Sequence, residues 1–181
     1  EYTLIQGSED IEVSALCYDS RKATPGSVYV CIPGTVVDGH NFVDKAIQAG
    51  ASAIVTTKDV VISNEITVIR VTDARLGLAL MSAAFFHYPA SKLKVIGITG
   101  TKGKTTTVYM MKSILENAGY KVGLMGTIET LIGNESIPAH NTTPESYIIQ
   151  ENFSKMLEVG CDICVMEVSS QGLKLDRTAG I

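Results

Sequence analysis

The chain is 181 residues long, 45% hydrophobic and 19% charged, a balance that supports a buried core in one medium or two small domains and excludes a disordered chain. Its net charge of −4 and pI near 5.4 exclude a general nucleic-acid-binding surface, so an anionic ligand needs a local basic pocket. No apolar run approaches the roughly 18 residues of a membrane-spanning helix, and Glu1-Tyr2 opens no charged-then-apolar leader, so neither a membrane span nor a signal peptide is expected.

Residues 12–18 (EVSALCY) and 27–32 (SVYVCI) read as strands, joined by the turn-rich stretch 19–26 (DSRKATPG). A loop runs from Pro33-Gly34 to Asp38-Gly39-His40, and residues 41–49 then predict a short helix with Asn41 as cap and Gly50 as stop. Strands follow over 52–57 (SAIVTT) and 66–71 (ITVIRV). Asp73 caps a helix expected over 74–87, with Leu76, Leu80, Ala83 and Phe86 as its apolar face. Pro89 closes this block, which predicts one domain over residues 1–88 and another over 89–181.

The second block opens with a strand over 92–99 (KLKVIGIT), a glycine-rich turn, and a helix from Lys104 to about Ala118 whose inner face is Val108, Met111, Leu115 and Ala118. A strand over 121–127 and a hairpin over 130–137 around Gly133-Asn134 come next. A helix is expected from Pro144 to about Val159, with Pro144 near its first position and Glu145 in its first turn. The apolar segment 163–168 (ICVMEV) is the last strand. Alternation of strand and helix predicts a parallel sheet. A doubly wound nucleotide-binding sheet holds more strands than these, so the second domain is expected to be incomplete and strand 163–168 to expose an edge.

Cys161-Asp162-Ile163-Cys164 has CxxC spacing, but no second ligand pair for zinc exists and Cys164 opens an apolar strand instead of a helix. All four cysteines read as buried thiols of a reducing compartment, which predicts a cytoplasmic location. Of the histidines, His40 belongs to the Asp-Gly-His loop, His87 to a helix end and His140 to a loop; none is assigned a catalytic role.

The strongest motif is Gly100-Thr101-Lys102-Gly103-Lys104-Thr105-Thr106 between a strand and a helix, the setting that a phosphate-binding loop requires. Glycines let backbone N–H groups close round phosphates, and the helix N-terminus adds partial positive charge. Lys104 can reach the β- and γ-phosphates of ATP, and the Thr105 hydroxyl can bind Mg²⁺. The usual GxxxxGK[ST] string wants glycine where Ile98 stands. Glu167 lies at the C-terminal end of an apolar strand, where ligands of open α/β sheets bind; it reads as a Mg²⁺ ligand or as a solvated strand end. Thr142 and Thr143, just before a helix, read as an anion site or as an ordinary helix start.

Gly100-Thr101-Lys102-Gly103-Lys104-Thr105 resembles the loop of the Mur ligases, and equally that of folylpolyglutamate and cyanophycin synthetases. Three more segments choose among these. Asp19-Ser20-Arg21, with Pro25-Gly26 and Asp38-Gly39-His40-Asn41-Phe42, is similar to the UDP-binding domain of the MurE and MurF ligases; alone, Asp-Ser-Arg is also an ordinary turn with a local ion pair. Asn141-Thr142-Thr143-Pro144-Glu145 and Glu167-Val168-Ser169-Ser170 resemble the MurE branch, with MurF the nearest competitor. The resemblance covers nearly the whole chain, as its N-terminal part. It implies an α/β fold: a small UDP-binding domain followed by an incomplete P-loop-type parallel-sheet ATPase domain.

It also implies an ATP- and Mg²⁺-dependent amide ligase that adds a diamino acid, L-lysine or meso-diaminopimelate, to UDP-MurNAc-L-Ala-D-Glu through an acyl-phosphate. The partners implied are thus a UDP-linked muramoyl peptide and a diamino acid. By the resemblance, Lys104 and Glu167 are catalytic, Thr105 and Glu167 hold Mg²⁺, and Gly100 to Thr106 hold ATP. Tyr18, Ser20, Thr35, Val36 and Val37 line the uridine pocket, while Asn141, Thr142, Thr143, Ser169 and Arg177 hold the nucleotide-peptide. Leu175 stands where some MurE proteins carry glutamine, which puts that contact in doubt. The acceptor amino acid has no site in these residues, so the piece by itself is expected to be a nucleotide-binding module without ligase activity.

Overall fold

The computed structural model describes residues 1–34, 37–62 and 65–181. It is α/β throughout and divides into two compact units, residues 1–78 and 79–181, each built on its own five-stranded sheet.

In the first unit the strands are β1 (Tyr2–Gln6), β2 (Ala15–Cys17), β3 (Ser27–Val30), β4 (Ala53–Thr56) and β5 (Thr67–Val71), in spatial order β1-β5-β4-β3-β2. β2, β3, β4 and β5 pair in parallel. All four residues of β3 and of β4 are buried, as expected for inner strands covered on both faces. β1, which the sequence patterning did not single out, closes one edge antiparallel to β5, with Tyr2 opposite Val71. The helix expected over 41–49 is split. A 3₁₀ turn spans Gly39–Phe42, and α1 (Val43–Gln48) continues it. Asp38, not Asn41, caps the turn: its carboxylate accepts the His40 N–H at 3.0 Å. Cys17, Tyr29, Cys31, Ala46 and Ile54 fill the core between α1 and the sheet.

α2 (Ala74–Phe85) ends where His87 and Tyr88 enter the left-handed region, φ 59° and 53°, ahead of Pro89. The compact units divide inside this helix, before the Pro89 boundary that the sequence suggests. Its buried face is also not the expected one. Ala74, Leu78, Ala79 and Ala83 are buried, whereas Leu76 and Leu80 are 41% and 53% exposed. The segment ARLGLALMSAAF is apolar on nearly every side, so periodicity alone cannot select a face. The side chosen is mostly the one with small residues.

The second unit holds β6 (Lys94–Ile98), α3 (Lys104–Asn117), β7 (Val122–Met125), β8 (Glu129–Ile132), β9 (Glu135–Pro138), α4 (Ser146–Glu158), β10 (Ile163–Glu167) and α5 (Ser170–Lys174). Spatial order is β6-β10-β7-β8-β9. β10 is therefore an inner strand, parallel to β6 and to β7, and not the exposed edge that was expected. The sheet is mixed: the β8–β9 hairpin, turning at Gly133-Asn134, is antiparallel. Successive residues of β10 alternate between two cores. Ile163 and Val165 pack with Val108 of α3, and Cys164 and Met166 with Ile149, Phe153 and Met156 of α4. α4 begins at Ser146 with Glu145 as its cap residue, so Pro144 stands outside the helix and not at its first position.

Candidate functional site

β6 delivers the chain at Ile98 to the glycine-rich loop, and α3 takes it up at Lys104. Ile98 is paired with Glu167 in the sheet, and its carbonyl accepts the Val168 N–H at 2.8 Å. The slot that holds glycine in the usual P-loop string is thus a strand residue here, and the bend begins later, at Gly100 (φ 151°) and Gly103 (φ 80°). Gly103, the residue before α3, lies in the left-handed region that a side chain rarely adopts. Lys104 folds back over the loop and its Nζ donates to the Gly100 carbonyl at 2.8 Å. Thr101, Lys102, Gly103 and Thr106 are exposed, and Lys104 and Thr105 are half-buried.

Glu167 lies directly beside this loop. It is 1% exposed, at the C-terminal end of the inner strand β10. Its Oε2 accepts the Thr105 hydroxyl at 3.0 Å and the Thr127 hydroxyl at 3.1 Å, and its Oε1 accepts the Thr127 N–H at 2.8 Å. Thr105 and Glu167 therefore share one face of the sheet, 62 residues apart in sequence. Gly126 makes room for the carboxylate: a Cβ there would stand 2.8 Å from Glu167 Oε1. The solvated strand end considered for Glu167 is not what forms. All its hydrogen-bond partners among the described residues are neutral. A buried carboxylate without a counter-charge is costly, and carboxylate and hydroxyl oxygens are what Mg²⁺ selects.

The segment 141–145 folds against the same strand end. Thr127 and Thr142 bring their hydroxyls to 3.0 Å. Thr143 is 1% exposed; its hydroxyl lies 3.1 Å from the Glu167 carbonyl and 3.2 Å from Ser169 Oγ, and it accepts the Ser169 N–H at 2.9 Å. Ser169 caps α5 by accepting the Gly172 N–H at 3.0 Å. Gly172 packs closely, since a Cβ there would meet Thr143 Cβ at 2.8 Å. Arg177 donates to the Thr143 carbonyl at 2.9 Å and pairs with Glu145 at 2.7 Å, while its buried Nε–H has no partner among the described residues. Asn141 is exposed. The structure thus gathers Thr105, Thr142, Thr143, Glu167, Ser169 and Arg177 into one network. It adds two residues that sequence reasoning missed, Thr127 and Glu145.

In the first unit, Tyr18, Ser20 and Val37 line a cleft of about 420 Å³ together with Asp19, Arg21, Tyr29, Ile32, Gly39 and Phe42. Thr35 and Val36 lie outside the described residues. One ion pair lines the cleft and another lies next to it. Asp19 takes the guanidinium of Arg21 in a bidentate pair, 2.9 and 2.7 Å, and the pair holds the Asp19 carboxyl below its ordinary value. Asp38 lies 2.5 Å from Lys58 Nζ and 2.5 Å from His40 Nδ1, and these partners, Lys58 first, hold its carboxyl well below the usual range. Behind them the Tyr29 hydroxyl donates to the Gly39 carbonyl at 2.9 Å, and burial pushes that phenol up.

The cysteines are all buried and free. Burial pushes Cys31 up to about 12 and Cys164 further, so the CxxC pair offers no thiolate. No group of three or more His, Cys, Asp or Glu among the described residues is placed to hold a metal. No helix among them is long and apolar enough to cross a membrane.

A glycine loop closing on a helix N-terminus, with a buried acidic residue on the adjacent parallel strand, belongs to an α/β protein whose loop has the setting that phosphate-binding loops use. Residues 98–181 match the family described as Mur ligase middle domain, and residues 12–85 the one described as Mur ligase family, catalytic domain. The chain belongs to the Mur ligase family. It is 49% identical over 181 residues to the UDP-N-acetylmuramoyl-L-alanyl-D-glutamate–2,6-diaminopimelate ligase of Clostridium perfringens, covering 100% of this chain and 37% of that protein. To the corresponding ligase 1 of Clostridium acetobutylicum it is 51% identical over 181 residues, covering 100% and 38%. The chain therefore spans little more than a third of the length of these curated relatives. A solved structure of a ligase of the same name shares the fold, with a TM-score of 0.80 at 21% identity over 96% of this chain and 36% of that one. The MurF ligase of Thermotoga maritima, solved with ADP, gives 0.57 at 25% identity over 90% and 34%.

Proposed function

We propose that this chain is the nucleotide- and precursor-binding part of an ATP-dependent ligase that joins meso-diaminopimelate to UDP-MurNAc-L-Ala-D-Glu in peptidoglycan precursor synthesis. The observation that carries the reading is the buried Glu167 carboxylate facing Thr105 of the glycine loop, 3.0 Å apart, with neutral donors alone around it among the described residues. The names of the relatives, at about half identity, favour diaminopimelate over lysine and this ligase over MurF. Buried free cysteines accord with a cytoplasmic setting.

In this reading the γ-phosphoryl of ATP passes to the free carboxylate of the D-Glu residue, and the incoming amine then displaces phosphate from the acyl-phosphate. Gly100 to Thr106 cradle the phosphates with backbone N–H groups at the start of α3. Lys104 exchanges its carbonyl partner on Gly100 for phosphate oxygens and neutralises the charge that develops. Thr105 and Glu167 would hold Mg²⁺, which when bound supplies further neutralisation of phosphate charge. Asn141 and Thr142 meet the muramoyl peptide, held in place by Thr143 and Ser169, and Arg177 offers its spare Nε–H to a substrate carboxylate. Tyr18, Ser20 and the loop Thr35-Val36-Val37 receive the uridine end. The test is an amide-formation assay on the full-length protein with ATP, Mg²⁺, UDP-MurNAc-L-Ala-D-Glu and either diamino acid. The expected result is ATP-dependent joining of diaminopimelate; joining of neither refutes the reading.

A further inference from the structure

The Thr127 hydroxyl stands between two sites. On one side it reaches Glu167 Oε2 at 3.1 Å and on the other Thr142 Oγ1 at 3.0 Å. A hydroxyl has one hydrogen, and an ionised carboxylate only accepts. The Thr127 proton must therefore point at Glu167, and the Thr142 hydroxyl must spend its own proton on Thr127. In this state Thr142 has no hydrogen left for a ligand.

A cation on Glu167 changes this. It takes the carboxylate lone pairs that the threonine hydroxyls now use, and a hydroxyl facing a cation presents oxygen and not hydrogen. Among the described residues the Thr127 proton then has Thr142 Oγ1, at 3.0 Å, as its protein acceptor. Once Thr142 accepts, its own hydrogen is released toward the half-exposed surface before α4. We propose that Thr127 is a positioning residue that couples the two sites: a divalent cation at Glu167 reverses the Thr127–Thr142 hydrogen bond and turns Thr142 into a donor for an anionic group of the peptide substrate. The inference rests on the proposed function in taking Glu167 as the cation site and Thr142 as a peptide contact. The second anchor of the carboxylate, the Thr127 N–H to Glu167 Oε1 at 2.8 Å, is backbone and survives any side-chain change.

Coupling between two ligands is reciprocal, so it is read from Mg²⁺ affinity without turnover. In the full-length protein without ATP, Mn²⁺ as a spectroscopic stand-in and Mg²⁺ by calorimetry are titrated with and without UDP-MurNAc-L-Ala-D-Glu. The dipeptide should tighten cation binding in the wild type. Charge attraction alone contributes to that tightening and is shared by every variant. The hydroxyl relay is the excess, expected to be about tenfold for one recovered hydrogen bond. Thr127→Val should remove the excess, and Thr127→Ser should retain it. Thr127 is exposed, so folding is not at stake, and thermal melts of both variants check that. Equal coupling in wild type and Thr127→Val overturns the relay while leaving the functional reading intact. Failure of the wild type to bind the dipeptide or the cation at all overturns both.

Discussion

Asp19 and Asp38 of the first unit and Glu167 of the second are held in opposite ways, although the second unit also has a paired acid, Glu145 with Arg177. In the first, Asp19 in the cleft has Arg21, and Asp38, next to the lining residues Val37 and Gly39, has Lys58. In the second, the most deeply buried acid, Glu167, has hydroxyls and one backbone N–H and no cation among the described residues. A charge paired within the chain shapes a surface and asks for nothing more. A buried charge left unpaired lowers stability, and the cost is offset only when a ligand arrives. The two cleft-side charges of the first unit are thus balanced within the chain, and the buried charge of Glu167 has no such balance among the described residues.

The comparison breaks most visibly at the glycine loop. Lys104→Ala in the full-length protein should lower turnover by about a thousandfold or more, since charge stabilisation at developing phosphate charge acts in the transition state, with an unchanged circular-dichroism spectrum. Near wild-type turnover would remove the phosphate role from this loop. Glu167→Gln should come next, with Mg²⁺ affinity reduced by about a hundredfold and thermal stability unchanged or raised, because the buried charge is gone. A fall in stability together with unaltered Mg²⁺ affinity would make Glu167 a structural acid like those of the first unit. Gly172→Ala probes the scaffold beneath Thr143. Forcing a methyl against Thr143 Cβ should cost about 1–3 kcal/mol of stability, read by chemical denaturation.

The smallest effect belongs to the first unit. Asp38→Asn should cost under about 1 kcal/mol at neutral pH, as for other solvent-facing pairs. Because folding lowers the Asp38 carboxyl, the native state binds fewer protons than the unfolded chain. Its contribution is complete above the unfolded value near 3.9 and disappears as pH falls toward the lower folded value. The stability curves of variant and wild type should therefore converge in acid; a gap that persists there assigns the effect to packing.

Much of this was legible in the sequence because it is local. The strand–loop–helix frame around Lys104 and the hairpin at Gly133-Asn134 each declare themselves within about ten residues. What escaped depends on separation or on redundancy. Thr127 is a lone threonine after a strand, and nothing near it in the chain marks a partner 40 residues away. Arg177 and Glu145 each stand in a motif, but nothing in the sequence joins the two as an ion pair, because they lie 32 residues apart. β1 is five residues on an edge with two of them half-buried, too short a pattern to stand out. In α2 the signal was abundant instead of absent: leucines on one side and alanines on the other both fit a helical stripe.

The place of β10 bears on how the second unit comes to exist. β6 and β7 never touch as neighbours in the sheet; each pairs with the strand made after both. During synthesis, residues 94–98 and 122–125 leave the ribosome with their inner edges open, and stay so until 163–167 emerge. Closure of such distant parallel pairs is slow, and open strand edges are where chains associate wrongly. Glu167, the last residue of the inserted strand, reaches Thr105 and Thr127 only when that insertion is complete. Assembly of the carboxylate site is thus a late folding event, and nascent chains with residues 163–175 still inside the ribosome should be captured by chaperones far more than chains in which those residues have emerged.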